Sequence, residues 1–245
     1  MNIKDRNILI TGANRGIGKT LTESYLEQGA AKIYAAVRNP ESVAPMVDQF
    51  GDRVVAIALD LTDPDSIQAA ATRAADVDIV INNGGVLTNT NLLDADALES
   101  FQFEIDVNVY GLVRVAQAFA PVLKKNGGGA LVQLNSVASV KAFAAFGSYA
   151  ASKAAAYSVT QSLRDLLKEQ GTLVVSVHPG PIATEMASAG GFDEIAEPPS
   201  LVADAIRDAL ESGSFHTFPD TMAKQVEAEY RNFATNIVDV DLLEG

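Results

Sequence analysis

Apolar residues along the chain follow two rhythms. Short unbroken apolar runs at 7–12, 32–37, 53–59, 76–81, 130–134 and 173–177 end in turn signals, and each predicts a strand buried on both faces. Between them lie longer stretches that predict helices: 19–28, 40–50, 64–75, 95–125, 149–169, 199–212 and 220–237. In 95–125 the helical repeat is carried by Phe101, Ile105, Val109, Leu112, Ala116 and Phe119. Thr62 or Asp63 stands where a cap for helix 64–75 is needed. Residues 181–198 predict a loop with one short helix, and 215–218 a last short strand. Strand and helix alternate at least six times, the pattern of a parallel sheet covered by helices through right-handed crossovers. The 245 residues show no linker, repeat or low-complexity segment, so a single domain over 1–245 is expected.

Composition changes this picture mainly by exclusion. An apolar share of 48% and a charged share of 20% suit a globular domain. There is no cysteine, and the only histidines are His178 and His216, so no metal site is expected. A net charge of −13 argues against nucleic acid or an anionic membrane as partner. No apolar stretch is long enough to span a bilayer, and the charged first residues lack an apolar signal region, which points to the cytoplasm.

Two stretches carry candidate chemistry. In the first, the run 7–12 leads through Gly12, Gly16 and Gly18 into a helix, an arrangement that brings backbone and a positive helix end up to a phosphate. Gly18-Lys19-Thr20 imitates the end of a P-loop, but that pattern requires glycine at position 13, which is Ala13. The run 32–37 is followed by Arg38. Dinucleotide-binding folds use an acidic residue there for a ribose 2′-hydroxyl and an arginine for a 2′-phosphate, so Arg38, assisted by Arg15, favours the phosphate. In the second stretch, Ser136 follows the run 130–134, and Tyr149 and Lys153 lie four apart on a predicted helix, on one face. A phenol titrates near about 10, and a neighbouring cation lowers that value, so the pair is an acid/base device. Tyr-x-x-x-Lys is common on solvated helices, and its surroundings must decide.

Taken in order, Thr11-Gly-Ala-Asn-Arg-Gly16-Ile-Gly18, Asp60, Asn82-Asn-Gly-Gly85, Asn108, Ser136, Tyr149-x-x-x-Lys153 and Pro179-Gly180 with Thr184 resemble a short-chain dehydrogenase/reductase of the standard single-domain branch, over nearly the whole chain. The resemblance implies an α/β fold: a single-domain, Rossmann-type, doubly wound parallel sheet of about seven strands with helices on both faces. It implies an NAD(P)-dependent oxidoreductase in which Tyr149 is the acid/base and Lys153 lowers its pKa and binds the nicotinamide ribose. Ser136 would hold the substrate oxygen, and Asn108 a water of the proton relay. The cofactor, NADP(H) by preference with NAD(H) as a possibility, would lie on the loop of Gly12, Asn14, Arg15, Gly16, Ile17 and Gly18. Asp60 and Leu61 would meet its adenine, and Asn83 and Gly84 its adenosine ribose. The turn at Pro179 and Gly180 would lead to Ile182 and Thr184 at the nicotinamide amide. Two departures stand out. The family's usual Asn-Asn-Ala-Gly reads Asn82-Asn-Gly-Gly85 here, and the carboxyl end has Phe215-His-Thr-Phe-Pro-Asp220 and an acidic tail in place of a glycine-rich close.

The expected activity is a reversible, NADPH-dependent reduction of ketones or aldehydes. One alternative is a 3-oxoacyl carrier-protein reductase, with Lys124 and Lys125 as a local basic patch. Another is a non-catalytic dinucleotide-binding regulator, against which the intact Asn108, Ser136, Tyr149 and Lys153 set counts. The pocket would be walled by Val137, Val140, Phe143, Ala144, Ala145 and Phe146, and by Ile182, Met186, Ala187 and Phe192, with Gly190-Gly191 letting the last loop close. Lys141 is the only base there, against Glu185, Asp193, Glu194 and Glu197, so small, mainly apolar carbonyl or alcohol substrates are expected. A homodimer through 95–125 and 149–169 is expected, packed on Ala150, Ala151, Ala154 and Ala155; the altered carboxyl end argues against a tetramer, which stays an alternative.

Overall fold

The structure, a computed structural model, describes residues 1–240. An interior strand of its sheet is β1 (Asn7–Thr11), where Ile8 pairs with Ile33 on one side and Ile79 on the other. Ile8 and Ile10 are buried in one apolar layer and Leu9 in the other, which is why the strand reads as an unbroken apolar run. Around it lie β2 (Lys32–Val37), β3 (Val54–Ala58), β4 (Ile79–Asn82), β5 (Ala130–Leu134), β6 (Leu173–Val177) and β7 (His216–Thr217). All pairings are parallel and the order is β3-β2-β1-β4-β5-β6-β7, the expected doubly wound sheet.

The helices are α1 (Gly16–Glu27), α2 (Ala44–Phe50), α3 (Pro64–Arg73), α4 (Ala97–Ile105), α5 (Gly111–Lys125), α6 (Gly147–Lys168), α7 (Glu185–Ala189), α8 (Ser200–Ser212) and α9 (Thr221–Phe233). Leu21, Tyr25 and Leu26 of α1 join Ile206 and Leu210 of α8 over one face of the sheet. Ile67 of α3, Val115 and Phe119 of α5, and Leu167 of α6 cover the other. Asp63 caps α3, its carboxylate accepting from the Asp65 amide at 3.0 Å.

Several boundaries differ from expectation for identifiable reasons. The strand expected over 76–81 begins only at Ile79, because Asp76 and Asp78 turn outward: Asp78 accepts from the Asn7 amide, and Asp76 from Tyr34 and Lys32. The helix expected over 40–50 opens as a tight turn, Pro40–Val43, capped by Asn39. The helix expected over 220–237 passes into a π turn at Ala234–Val238. The single helix expected over 95–125 is two helices joined by a π turn, Asp106–Tyr110. Residues 241–245, the last of the acidic tail, lie outside the described residues.

This topology positions the site. Connections from β1 step one way through β2 to β3, and from β4 the other way through β5 to β7, so a crevice opens at the carboxyl ends of β1 and β4.

Candidate active site

The glycine loop sits at that crevice. Gly12 and Gly16 hold left-handed backbone, φ +66° and +50°, and Gly18 lies inside the first turn of α1. A Cβ on Gly18 would come 2.2 Å from the Gly12 carbonyl oxygen, so only glycine lets the loop fold this tightly. Arg15 occupies the N-cap with no side-chain cap, which leaves the first amides of α1 facing the crevice. Asn14 and Ile17 are half-buried in the same loop. Arg15, expected to assist Arg38, is instead ion-paired with Glu185 of α7. Arg38, exposed beyond β2, makes no ion pair among the described residues, and its charge helps hold the Asp60 carboxyl below its usual range, after the Thr62 amide that donates to it.

The strand ends are tied together. Asn83 Nδ2 donates to the Thr11 carbonyl at 2.8 Å, and the Gly84 amide to Thr11 Oγ1 at 2.8 Å. Leu61 packs across Gly84: a Cβ there would lie 3.0 Å from its Cδ1 and 3.3 Å from Thr11 Oγ1. An alanine at this position would therefore need these neighbours to give by a few tenths of an ångström.

α6 presents Tyr149, Lys153, Ala156 and Thr160 along one buried stripe. Ser136, just past the end of β5, caps the short turn Val137–Ser139: its Oγ accepts from the Ala138 amide and donates to the Pro179 carbonyl at 3.3 Å. Lys153 is buried, and its Nζ donates to the Leu134 carbonyl at 2.9 Å, 5.8 Å from the Tyr149 ring centre. The expected lowering of the phenol by this cation is not what the structure shows. Burial pushes Tyr149 up to about 12, with the Ser136 hydroxyl acting against it and the Glu104 charge with it. Burial also pushes Lys153 down to about 8, opposed by Glu104.

Asn108 sits in the middle of the π turn. Its Oδ1 accepts from the Val86 amide, and its Nδ2 donates to the Val86 carbonyl and Ser152 Oγ, each at 2.9 Å. The amide is thus engaged by protein groups rather than poised only for a water. Pro179 and Gly180 continue from β6, Ile182 is buried, and Thr184 caps α7 while its Cγ2 would lie 3.0 Å from a Cβ on Gly16. The loop after β6 therefore covers the glycine loop.

Sequence reasoning missed three residues here. His178, given no role from the sequence beyond the exclusion of a metal site, is wholly buried and bonded by both ring nitrogens, Nδ1 to Ser139 Oγ at 2.9 Å and Nε2 to Ser176 Oγ at 2.8 Å; Ser139 Oγ in turn donates to the Ser136 carbonyl. Asp220, read as part of the unusual carboxyl end, is buried, accepts from the Gly180 amide at 2.7 Å and caps α9. Glu104 is buried on α4, within an otherwise apolar repeat.

Comparison with known proteins agrees with this fold. Residues 6–194 match the family model described as short chain dehydrogenase. The chain belongs to the short-chain dehydrogenase family. This oxidoreductase is 34% identical to a short chain dehydrogenase from Burkholderia cenocepacia solved in complex with NADP, with a TM-score of 0.87 over 98% of this chain and 100% of that one. It is 32% identical to the oxidoreductase UcpA of Salmonella typhimurium over 96% of this chain and 93% of that protein. It is also 32% identical to the 3-oxoacyl-(acyl-carrier-protein) reductase FabG of Vibrio cholerae, over 77% and 78%.

His178 gives this dehydrogenase a defined acid sensitivity. Burial pushes its pKa down to about 3, so the folded chain refuses a proton that the unfolded chain takes below about 6.5. Stability therefore rises with pH across that window and is lost as pH falls. Denaturant unfolding at about pH 5.5 and 7.5 should show a loss on acidification to which His178 contributes about 1 kcal/mol; His178→Gln should shrink the difference by that amount. An unchanged difference in the variant would contradict the assignment.

Proposed function

We propose that the protein is an NADPH-dependent reductase of apolar ketones or aldehydes, reversible as an alcohol dehydrogenase, working as one domain over residues 1–245 in the cytoplasm. The observation that carries this is the buried Tyr149 phenol beside Ser136, at the carboxyl edge of the sheet and next to an apolar wall. With its pKa raised to about 12, the phenol holds its proton at neutral pH, the state that reduction of a carbonyl requires.

The cradle of Gly12, Gly16 and Gly18, with the free amides of α1, fits a pyrophosphate, and Arg38 fits a 2′-phosphate. When bound there, a nicotinamide cofactor supplies the hydride. The chain's own residues do the rest. Ser136 donates to the substrate oxygen and orients it, and Tyr149 OH delivers the proton to that oxygen. Lys153, held by the Leu134 carbonyl, keeps a positive charge near the phenol as it gives up its proton. Asn108 holds the segment after β4 in place.

The wall supports the substrate class. Phe143 and Phe146 lie 5.2 Å apart between ring centres, Phe146 sits 6.1 Å from Tyr149 and 5.7 Å from Phe192, and all three phenylalanines are only half-buried. Leu87 packs against the same group. A substrate with apolar surface gains roughly 25 cal/mol for each Å² removed from water there. The similarity to FabG supports a second reading, a 3-oxoacyl carrier-protein reductase. Lys124 and Lys125 do not help it: they close α5 before β5 begins, at the opposite sheet edge from Ser136.

The assembly proposed is a homodimer. Leu98, Phe103 and Tyr110, along α4 and the π turn, and Leu166 on α6 are exposed, as are Ala151 and Ala154; Ala150 is buried within its own chain. Two copies pairing through these helices would cover that surface.

Three measurements test these readings. Tyr149→Phe should keep cofactor affinity and lose about a hundred- to ten-thousandfold in turnover; near-normal turnover would refute the acid role. Initial rates should be higher with NADPH than NADH, and higher for an aryl alkyl ketone than for a keto acid of similar size, with Arg38→Asp shifting cofactor preference toward NADH. A wild-type preference for NADH, or for the keto acid, would sink the corresponding assignment. Light scattering at micromolar concentration should give twice the chain mass, and a monomer would rule the dimer out.

A further inference from the structure

Along α4 and the π turn, three buried polar residues recur every fourth position and meet alternate residues of the segment after β4. Ser100 Oγ lies 3.0 Å from Thr90 Oγ1. Glu104 Oε1 accepts from the Thr88 amide at 2.7 Å and from Thr88 Oγ1 at 2.8 Å. Asn108 bonds both backbone groups of Val86. Four residues of helix rise about 6 Å, close to the span of two residues of extended chain, so the helix and the segment stay in step. This segment carries Leu87, which packs on Tyr149 and the phenylalanine wall.

Glu104 differs from its two companions. It is fully buried, and its Oε2 has no hydrogen-bond partner among the described residues. A hydroxyl would suffice to hold Thr88, so a carboxylate at this depth carries a desolvation cost that the clamp alone does not require. Oε1 accepts two donors at once, which fixes the carboxyl in place against Thr88. No ion pair involving Glu104 forms among the described residues. The charged or titratable groups facing it are Tyr149 and Lys153 from α6; the segment after β4 offers only amides and a hydroxyl, and on the π turn Asp106 is bound by Arg114 at 2.8 Å.

We propose that Glu104 is a positioning residue for the reaction: it clamps the segment 86–90 as the substrate wall and, as a fixed negative charge behind Tyr149 and Lys153, sets the pH range in which that pair works. The inference rests on the reading of Tyr149 as the acid. Glu104 favours the ammonium of Lys153 and disfavours the phenolate of Tyr149. Removing its charge should therefore move both titrations to lower pH. The basic limb of ketone reduction, where Tyr149 loses its proton, and the acidic limb of alcohol oxidation, where it must have lost it, should shift together.

The test is a set of pH–rate profiles in both directions. Glu104→Gln keeps the shape and an acceptor for Thr88 but removes the charge. Both limbs should move down by on the order of half a pH unit or more, with KM for the ketone within about twofold of wild type. Thr88→Val keeps the charge and removes the hydroxyl donor; its limbs should stay in place while KM rises several-fold. Limbs of Glu104→Gln that superimpose on wild type would overturn the electrostatic role, and an unchanged KM in Thr88→Val would overturn the clamp. If Glu104→Gln fails to fold, Glu104→Asp replaces it: limbs held with KM raised support the proposal, and limbs moved down despite the retained charge overturn it. Failure of the reading beneath shows separately, as turnover surviving in Tyr149→Phe.

Discussion

The site depends on a buried polar row at the carboxyl edge of the sheet. Thr11 on β1, Asn82 on β4 and Gln133 on β5 are each about 1% exposed and bond in sequence: Thr11 Oγ1 donates to Asn82 Oδ1 at 3.1 Å, and Asn82 Nδ2 to Gln133 Oε1 at 2.8 Å. Gln133 Nε2 donates to the Leu134 carbonyl, the acceptor that also holds Lys153. An unmatched group in this row would cost on the order of 1–3 kcal/mol, so its members hold one another in a single arrangement. Through it the strand that launches the glycine loop is fixed relative to the lysine of α6, although the two are far apart in the chain.

Much of this was legible in the sequence because it follows from local rules. Unbroken apolar runs marked strands covered on both faces, and β2, β5 and β6 fall at the expected residues. The glycine loop and the four-residue spacing of Tyr149 and Lys153 were legible for the same reason. What escaped were consequences of tertiary burial. Nothing near Tyr149 in sequence says that its phenol is shielded enough for desolvation to outweigh a lysine one turn away. Nothing near Arg15 says that Glu185, 170 positions on, takes its guanidinium. Glu104 looks like a surface charge by composition, and only the packing of α4 against α6 and the segment after β4 buries it.

The same burial serves two ends. Shielding from water raises the Tyr149 phenol and lowers the Lys153 ammonium, which brings their proton affinities closer than their ordinary values would be. It is supplied in part by Phe143, Phe146 and Leu87, the residues that would meet an apolar substrate. Acid strength and substrate preference are therefore not independent: a polar side chain placed in that wall to admit a charged substrate would also rehydrate the phenol.

The π turn at Asp106–Tyr110 has a consequence for how this region tolerates change. A π turn spends one residue more than an α turn, and each helical residue advances the face by about 100°. α4 and α5 are thus out of phase, with Asn108 at the step. Deleting one residue anywhere in the turn would restore a smooth helix of better local geometry. It would also swing Ser100 and Glu104 about a quarter-turn relative to Phe119 and the sheet, away from the segment they hold. The bulge is a register mark. Length variation is open to the loops of this fold, but at these five residues a single-codon loss would be more damaging than most substitutions.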